Sequence, residues 1–303
     1  MKDIIFIVGP TAIGKTDTSF LLAKESDAEI ISSDSMLVYK EPQIIVSKPS
    51  EEILNKIKHH FIGIISVEQS YDVFNYYREA TQKINELYKK GRNLIVCGGS
   101  GLYIKALCDG IYEGVGKNEY LRKELTDKAN IAGTGYLHEE LKKVDPAAAE
   151  KISVNDLKRI IRALEVYYIG GIPISEKQQE SRGLYGKLPL RIFGLTQSRS
   201  KLYEQINIRT DKMFKEGVVE EVKRLFQMKL SLTAQKIIGI QEIKRHLDGD
   251  ITETEAKELI KKNTRNFAKR QLTWFSKDKR IEWIDVDNLK PKEIAKEILN
   301  RFR

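Results

Sequence analysis

Short runs of apolar residues alternate along the chain with longer stretches in which apolar positions recur every three or four residues. The first pattern is typical of strands buried in a parallel sheet, and the second is typical of helices that cover one. The predicted strands are Ile4 to Val8, Glu29 to Ser32, Phe61 to Ile65, Asn93 to Cys97, Leu190 to Leu195 and Ile281 to Ile284. Predicted crossover helices at Thr16 to Lys24 and Asp72 to Lys89 fit between them. The pattern predicts a doubly wound α/β core with a parallel sheet.

The strand pattern disappears between about Gly114 and Gly186, where the chain is typical of successive helices. Four are predicted, at Asn118 to Ala129, Gly135 to Lys142, Ala147 to Lys151 and Asp156 to Tyr168. Ser153 with Asp156 has the form of a capping box, Asp145-Pro146 has the form of a helix start, and Gly170-Gly171 has the form of a helix end. We therefore predict an all-helical insertion domain of residues 114–186 within a core of residues 1–113 and 187–303.

The core continues after the insertion with two further predicted helices. One runs from Lys201 to Gln227 and the other from Thr252 to about Lys277, where Thr252 and Glu255 form a second capping box. These C-terminal helices complete the predicted α/β fold. Because Gly9 to Thr16 has the Gly-x-x-x-x-Gly-Lys-Thr pattern of a phosphate loop between a strand and a helix, the fold is predicted to be of the P-loop NTPase type.

Composition limits the classes of function. With 41% hydrophobic residues the chain can form a packed core, and no apolar run approaches the eighteen residues that a membrane-spanning helix needs. No leader pattern precedes the first strand, and the two cysteines show no paired spacing, so we expect a cytoplasmic protein with no membrane partner. The four histidines are not arranged to hold a transition metal. A net charge of +9 favours a polyanionic partner, although Lys-rich surfaces also serve solubility.

The strongest local motif follows the first strand and opens a helix. It is the phosphate-binding loop made by Gly9, Pro10, Thr11, Ala12, Ile13, Gly14, Lys15 and Thr16. Such a loop points backbone N–H groups at phosphate oxygens, Lys15 supplies positive charge, and the Thr16 hydroxyl is placed to bind Mg²⁺. The motif suits ATP, GTP or another diphosphate equally well, so it does not by itself name the reaction.

Two further segments leave predicted strands at the same edge of the sheet. Asp34 comes just after the second strand, where its carboxylate either faces the phosphate loop or caps a turn. The turn Gly98-Gly99-Ser100-Gly101 follows the fourth, and its glycines allow close backbone approach around the Ser100 hydroxyl.

Taken together, the motifs resemble those of the tRNA dimethylallyltransferases, also called tRNA isopentenyltransferases, over nearly the whole chain. The resemblance rests on these segments: the phosphate loop, Asp34-Ser35-Met36-Leu37-Val38-Tyr39, Lys48-Pro49, His59-His60, Gly98 to Tyr103, Asn155-Asp156, Arg159, Arg162 to Glu165, Arg209 with Met213, Thr264-Arg265, Ala268 to Gln271 and Thr273-Trp274-Phe275. It implies transfer of a dimethylallyl group from its diphosphate to N6 of the adenosine just 3′ of the anticodon.

The resemblance also implies roles for individual residues. Gly9 to Thr16 would bind the diphosphate, Thr11 to Thr16 with Ser35 would bind the substrate, and Thr16 would hold Mg²⁺. Arg209 would stabilise the leaving pyrophosphate. Asp34 would be the general base for the adenine amine, and the Ser100 hydroxyl would bond a phosphate or the adenine.

A tRNA partner would account for the positive charge. On the last long helix Lys261, Arg265 and Lys269 recur every four residues, which favours phosphate contacts but is also typical of a solvated helix face. In the insertion the tRNA-binding candidates are Lys158, Arg159 and Arg162, of which Arg162 can equally pair with Glu165 or Glu150. The target adenine would have to leave its stack to reach Asp34.

Some positions depart from the family pattern. Between Tyr39 and Lys48 the family is rich in Gly and has an Asp and a Thr, whereas this chain has Lys-Glu-Pro-Gln-Ile-Ile-Val-Ser in a stretch that normally borders the substrate channel. Ser100 stands where Thr is usual, Ser153-Val154 where His-Pro is usual, and Ile240 where Tyr is usual. We expect these differences to affect substrate specificity more than the reaction.

Three other functions remain open at this stage. An adenylate isopentenyltransferase would modify a free adenine nucleotide, although it would leave the basic C-terminal helices unexplained. A nucleoside or metabolite kinase would use the loop for ATP and Asp34 for a hydroxyl, although it would leave the segment Gly98 to Tyr103 unexplained. A regulatory protein would bind nucleotide and RNA without covalent chemistry. A tRNA-modifying enzyme, expected to be a monomer, accounts for the most motifs.

Overall fold

The computed structural model describes residues 4–112 and 116–302, with no account of the side chains of residues 180 and 302. The strands are β1 (Ile4–Val8), β2 (Ala28–Ser32), β3 (His59–His60), β4 (Asn93–Gly98), β5 (Leu190–Thr196) and β6 (Ile281–Asp285). The helices before the insertion are α1 (Lys15–Ser26), α2 (Glu51–Lys56), α3 (Val73–Lys89) and α4 (Gly101–Asp109). Those within it are α5 (Glu119–Ala132), α6 (Thr134–Val144), α7 (Pro146–Lys151), α8 (Leu157–Gly170) and α9 (Ile174–Glu180). The later helices are α10 (Arg199–Lys215), α11 (Val218–Leu225), α12 (Ile240–Leu247), α13 (Glu253–Phe275) and α14 (Pro291–Phe302).

The sheet is parallel throughout. Its six strands, counted over the described part of the chain, lie in the order β3-β2-β4-β1-β5-β6. The central strand β1 is a continuous apolar run because both of its faces are covered. Ile4, Phe6 and Val8 face one hydrophobic core, whereas Ile5 and Ile7 face the other. The predicted α/β fold class is confirmed.

Two compact units divide the chain. One contains the described residues up to Cys108 and from Leu184 onward, and carries the sheet. The other runs from Asp109 to Gly183 and contains α5 to α9 around its own apolar core, which includes Leu125, Leu137 and Leu164. The sequence instead predicts an insertion of residues 114–186, whose first boundary, between 113 and 114, lies outside the described residues.

Several predicted element ends are confirmed by hydrogen bonds. The Asp145 carboxylate accepts from the amide of Ala148 at the start of α7, and Gly171 ends α8 with φ 68°. The Thr252–Glu255 capping box at the start of α13 is reciprocal. The Ser153–Asp156 box is wrong, because Asp156 is itself the N-cap and accepts from the amide of Arg159.

Two other element predictions are wrong. The third strand ends at His60, because Phe61 takes a positive φ of 65° that no regular strand accommodates, and only an isolated bridge joins Tyr39 to Ile65. The single helix predicted from Lys201 to Gln227 is two helices, α10 and α11, separated at Gly217 with φ 89°. Both breaks depend on one residue in the left-handed region, which apolar periodicity does not report.

Candidate functional site

The phosphate loop connects the central strand to the N-terminus of α1. Gly14 caps this helix with φ 87°, and the amide of Thr18 donates to its carbonyl at 3.0 Å. Thr16 lies exposed in the first turn of the helix. The free amides and the positive end of the helix therefore point to the carboxyl edge of the sheet, where an anion can bind.

Lys15 lies inside the loop rather than in solvent. Its ammonium donates to the carbonyl of Pro10 at 2.6 Å. Burial lowers the pKa of Lys15 to about 8, with Arg209 adding to the effect and the nearby Asp34 carboxylate opposing it. Burial disfavours the charged form of this side chain. A bound anion would favour that form and raise the pKa back towards its ordinary value.

The segments that carry Asp34 and Ser100 lie next to each other, because β2 and β4 end side by side. The Asp34 carboxylate accepts from the amide of Met36 at 2.8 Å, which holds it in a tight turn. The Ser100 hydroxyl accepts from the amide of Ser35 at 3.0 Å and lies 3.1 Å from the Ser35 hydroxyl oxygen. The carboxylate and the two hydroxyls therefore form one polar group at the edge of the sheet.

Arg209 reaches the same group from α10. Its guanidinium donates to the Thr11 hydroxyl at 3.1 Å. Burial lowers the pKa of Arg209, and the negative charge of Asp34 partly opposes this. The predicted residues Thr11, Lys15, Asp34 and Arg209 are thus brought together although they lie far apart in the sequence.

Gln271 completes the site and was not singled out in the sequence beyond its place in the motif Ala268 to Gln271. Gln271 is only 6% exposed. Its side-chain oxygen accepts from the Thr11 amide and its side-chain nitrogen donates to the Gly99 carbonyl, both at 2.9 Å. A Cβ at Gly99 would overlap the Gln271 amide, so this close approach requires glycine. Helix α13 therefore fixes the phosphate loop and the glycine turn relative to each other.

Two cavities open on either side of these residues. The larger, about 890 Å³, contains the phosphate loop with Lys15 and Thr16. The smaller, about 550 Å³, contains Ser35, Ser100 and an apolar wall that includes Phe214, Phe267 and Trp274. The residues that line both cavities are Thr11, Asp34, Val46, Arg209, Met213 and Gln271. We call these six residues the junction.

The basic residues predicted on α13 have different surroundings. Lys261 is only 12% exposed and forms ion pairs with Asp211 at 2.9 Å and Glu258 at 3.0 Å. Arg265 donates to the Asn207 side chain at 2.8 Å. Lys269 is exposed. The evenly spaced stripe therefore contains one exposed cation and two that bind neighbouring side chains.

In the helical unit the three predicted cations also differ. Arg162 donates to Glu165 at 2.6 Å, and Arg122 forms a second ion pair with the same carboxylate at 2.8 Å. Glu165 has no exposed surface and also accepts from the amide of Asn118. Lys158 is exposed, and Arg159 lies 3.4 Å from Asp156 at the surface. The geometry favours the structural alternative for Arg162.

Residues 37–278 match the family model of IPP transferase. The chain belongs to the IPP transferase family. That match begins just after Asp34, but relatives extend the similarity over the phosphate loop. The tRNA dimethylallyltransferase of Carboxydothermus hydrogenoformans is 43% identical over 98% of this chain and 96% of its own length. That of Natranaerobius thermophilus is 42% identical over 99% and 91%.

Solved structures agree with this IPP transferase assignment. The tRNA isopentenylpyrophosphate transferase of Bacillus halodurans is 36% identical, with a TM-score of 0.73, over 100% of this chain and 96% of that one. A eukaryotic dimethylallyltransferase acting on tRNA is 26% identical, with a TM-score of 0.81, over 100% of this chain and 79% of that one. The resemblance identified from the motifs is confirmed.

Over residues 4–112 and 116–302, none of the helices combines the length and apolar character that crossing a bilayer requires.

Proposed function

We propose that this chain transfers the dimethylallyl group of dimethylallyl diphosphate to N6 of the adenosine just 3′ of the anticodon in tRNA. The single observation that carries the proposal is the junction, where a phosphate-loop cavity meets a second, largely apolar cavity at Asp34. A transferase for two large substrates needs such an arrangement, because donor and acceptor approach the reacting carbon from opposite sides. The names of the relatives support the same substrates.

The donor diphosphate binds at the phosphate loop. The amides at the start of α1, the Lys15 ammonium and the Arg209 guanidinium surround the space for it, and Ser35 lines the second cavity next to Asp34. These groups stabilise the negative charge that grows on the diphosphate as the carbon–oxygen bond breaks.

Mg²⁺ is the proposed cofactor, and the residues present fit it. No cluster of three or more His, Cys, Asp or Glu able to hold a metal occurs within the described ranges 4–112 and 116–302. The exposed Thr16 hydroxyl suits an ion that takes most of its oxygen ligands from diphosphate and water. When bound, Mg²⁺ would neutralise charge on the leaving diphosphate.

Asp34 is the proposed general base. As the adenine nitrogen bonds to C1 of the dimethylallyl group, the bond from C1 to the diphosphate oxygen breaks, and the N6 proton passes to the Asp34 carboxylate. The Met36 amide holds this carboxylate in place, and Ser100 offers a hydroxyl beside it for the adenine. An exocyclic amine is a poor nucleophile, so a positioned base contributes directly to the rate.

The acceptor is tRNA, which supplies the polyanion that a net charge of +9 favours. Lys158, Arg159 and Lys269 are exposed and are the proposed phosphate contacts. Arg162, Lys261 and Arg265 already contact side chains of this protein, so any contribution of theirs to tRNA binding would require those contacts to be shared. Because tRNA is the acceptor, we also propose a cytoplasmic location.

The test is a direct assay of transfer. The protein with Mg²⁺ is incubated with unmodified tRNA and dimethylallyl diphosphate, with AMP and ATP in parallel reactions, and the digested RNA is analysed by mass spectrometry. We expect one adenosine of the anticodon loop to gain a dimethylallyl group. Modification of AMP alone would identify an adenylate isopentenyltransferase, and phosphoryl transfer from ATP would identify a kinase.

The absence of any mass gain on adenosine overturns the proposal. Gel filtration of the same preparation tests the expectation of a monomer.

A further inference from the structure

The segment Gln43–Val46 forms one wall of the junction. Val46 lines both cavities, and Ile45 lines the smaller one beside it. This is the stretch whose sequence departs from the family pattern, and it puts two branched apolar side chains close to Asp34. The segment therefore contacts whatever passes between the two cavities.

A buried carboxylate holds this segment in place. Glu221 of α11, only 5% exposed, accepts hydrogen bonds from three consecutive amides, those of Gln43 at 2.9 Å, Ile44 at 2.8 Å and Ile45 at 2.9 Å. Charge-assisted bonds of this kind are about twice as strong as neutral ones. Three of them on successive residues fix the backbone direction of the wall.

The side chain of Ile45 is fixed as well. Its Cδ1 atom lies 2.9 Å from where a Cβ at Gly239 would be, and Gly239 has a φ of 107°, so this packing depends on glycine. Ile240, at the position where the family usually has Tyr, is fully buried and belongs to the same hydrophobic core as Ile45. Packing in this core limits how far the Ile45 side chain can move.

The junction has a polar side and an apolar side. Thr11, Asp34, Arg209 and Gln271 supply the first, and Val46 and Met213 supply the second. With the diphosphate at the phosphate loop and C1 of the donor at Asp34, Val46 and Met213 are the apolar residues of the junction that the next donor carbons can contact. A longer prenyl chain would extend along Ile45 into the space that the adenine needs.

We propose that the segment Gln43–Val46, positioned by Glu221, determines which prenyl diphosphate the enzyme uses, by limiting the donor to a five-carbon group. Val46 and Ile45 are the specificity-determining residues, and Glu221 is a positioning residue that acts through their backbone. The inference rests on the proposed prenyl transfer to adenosine.

The test is a competition between dimethylallyl diphosphate and the ten-carbon geranyl diphosphate on one anticodon stem-loop RNA. Products are separated by mass for the wild type, Val46→Ala and Glu221→Gln. We expect Val46→Ala to raise the ratio of geranyl to dimethylallyl kcat/KM at least tenfold, since one methylene in an apolar pocket has an effect of about that size. Glu221→Gln removes no cavity-lining side chain, yet we expect it to shift the ratio in the same direction.

Glu220→Gln is the matched control, because this exposed residue adjoins Glu221 on α11. Its donor ratio should equal that of the wild type. An unchanged ratio in Val46→Ala overturns the proposal, and an unchanged ratio in a folded Glu221→Gln overturns the role of Glu221. Val46→Ala tests the wall even if circular dichroism shows that Glu221→Gln does not fold. Failure of the wild type to transfer any prenyl group overturns the proposed function itself, and this inference with it.

Discussion

Two groups of charges in this protein each combine one carboxylate with two cations, but they are arranged differently. In the helical unit Glu165 binds Arg122 and Arg162 directly, at 2.8 and 2.6 Å, and has no exposed surface. In the sheet unit Asp34 lies near Lys15 and Arg209, but over the described part of the chain no ion pair joins it to either. In the first group both cations are bound to the carboxylate. In the second group the charged side chains, all within the described residues, form no ion pair with one another and line the two cavities.

The difference separates a structural cluster from a chemical one. Removing one partner of a buried ion pair is destabilising, and cations that already bind a carboxylate have less to offer an anionic ligand. Lys15 and Arg209 instead donate to neutral oxygens, those of Pro10 and Thr11, and burial lowers the pKa of both cations. Cations held in this way are stabilised by an incoming anion. The arrangement is therefore suited to binding an anionic ligand.

The largest expected effect comes from Asp34→Asn, which removes the charge and the base while keeping the shape. We expect single-turnover transfer to fall by about 10²–10⁴-fold, since that is the usual contribution of general base catalysis. Donor binding and the thermal unfolding temperature should change little, because Asp34 stabilises no ion pair on which the fold depends. Transfer within a few-fold of the wild type would remove Asp34 as the base.

Glu165→Gln should lower the stability of the fold, which Asp34→Asn should leave nearly unchanged. Removing the carboxylate that binds Arg122 and Arg162, which are themselves partly exposed, should lower the free energy of unfolding of the helical unit by about 2 kcal/mol. Hydrogen exchange of α5 and α8 measures this directly. Glu150→Gln, at an exposed position of α7, is the control and should change stability by less than about 0.5 kcal/mol. Equal protection in the two variants would contradict the structural role.

The same cluster predicts a pH dependence. Burial opposes ionisation of Glu165, but hydrogen bonds from Arg122, the Asn118 amide and Arg162 outweigh it and lower its pKa to about 2. Because the folded pKa lies below the unfolded value of about 4.3, this stabilisation is complete above that value. It is lost as the pH falls from there towards 2, and Glu165→Gln should remove this part of the acid sensitivity.

Donor binding should respond to alkaline pH through Lys15. Its pKa of about 8 means that the ammonium loses its proton as the pH rises through that value, whereas Arg209 stays charged. We expect the Kd of dimethylallyl diphosphate, measured by calorimetry, to rise up to about tenfold per pH unit above 8. Lys15→Arg, which keeps its charge, should flatten this dependence. A flat profile in the wild type would contradict the buried cation.

The smallest expected effect separates exposed from paired cations on α13. Lys269→Ala should weaken tRNA binding a few-fold and reduce the slope of log affinity against log salt by about one, as expected for the loss of one phosphate contact. Lys261→Ala should leave that slope nearly unchanged, because Asp211 and Glu258 already neutralise Lys261. Filter binding over a salt series measures both. A larger slope change for Lys261 would reverse the assignment.

The sequence predicted the parts of this site that are built from neighbouring residues. The phosphate loop is contiguous, and its backbone geometry follows from Gly9, Gly14 and the strand and helix that flank it. Asp34 and Ser100 were also found, because parallel strands end at one edge of a sheet and the residues just after β2 and β4 must lie close together there. Local pattern and sheet geometry were sufficient for these residues.

Contacts over long sequence separations were not predictable in this way. Gln271 joins Thr11 to Gly99, and Glu221 holds the amides of Gln43 to Ile45, from positions more than 170 residues away. Periodicity placed Lys261 and Lys269 on one face of a helix, but it could not show that Asp211 of another helix neutralises the first. The breaks at Phe61 and Gly217 likewise depend on single backbone angles.

By itself, then, the sequence determined the fold class, the phosphate loop, the carboxylate beside it and the family. Tertiary structure alone decided which charges are free to act, where the two cavities meet and what fixes the wall between them. The physical reason is that a motif states which groups are near each other along the chain. Whether a cation such as Arg162 or Arg209 is neutralised by the protein depends on carboxylates that packing brings to it, and only the folded chain specifies those.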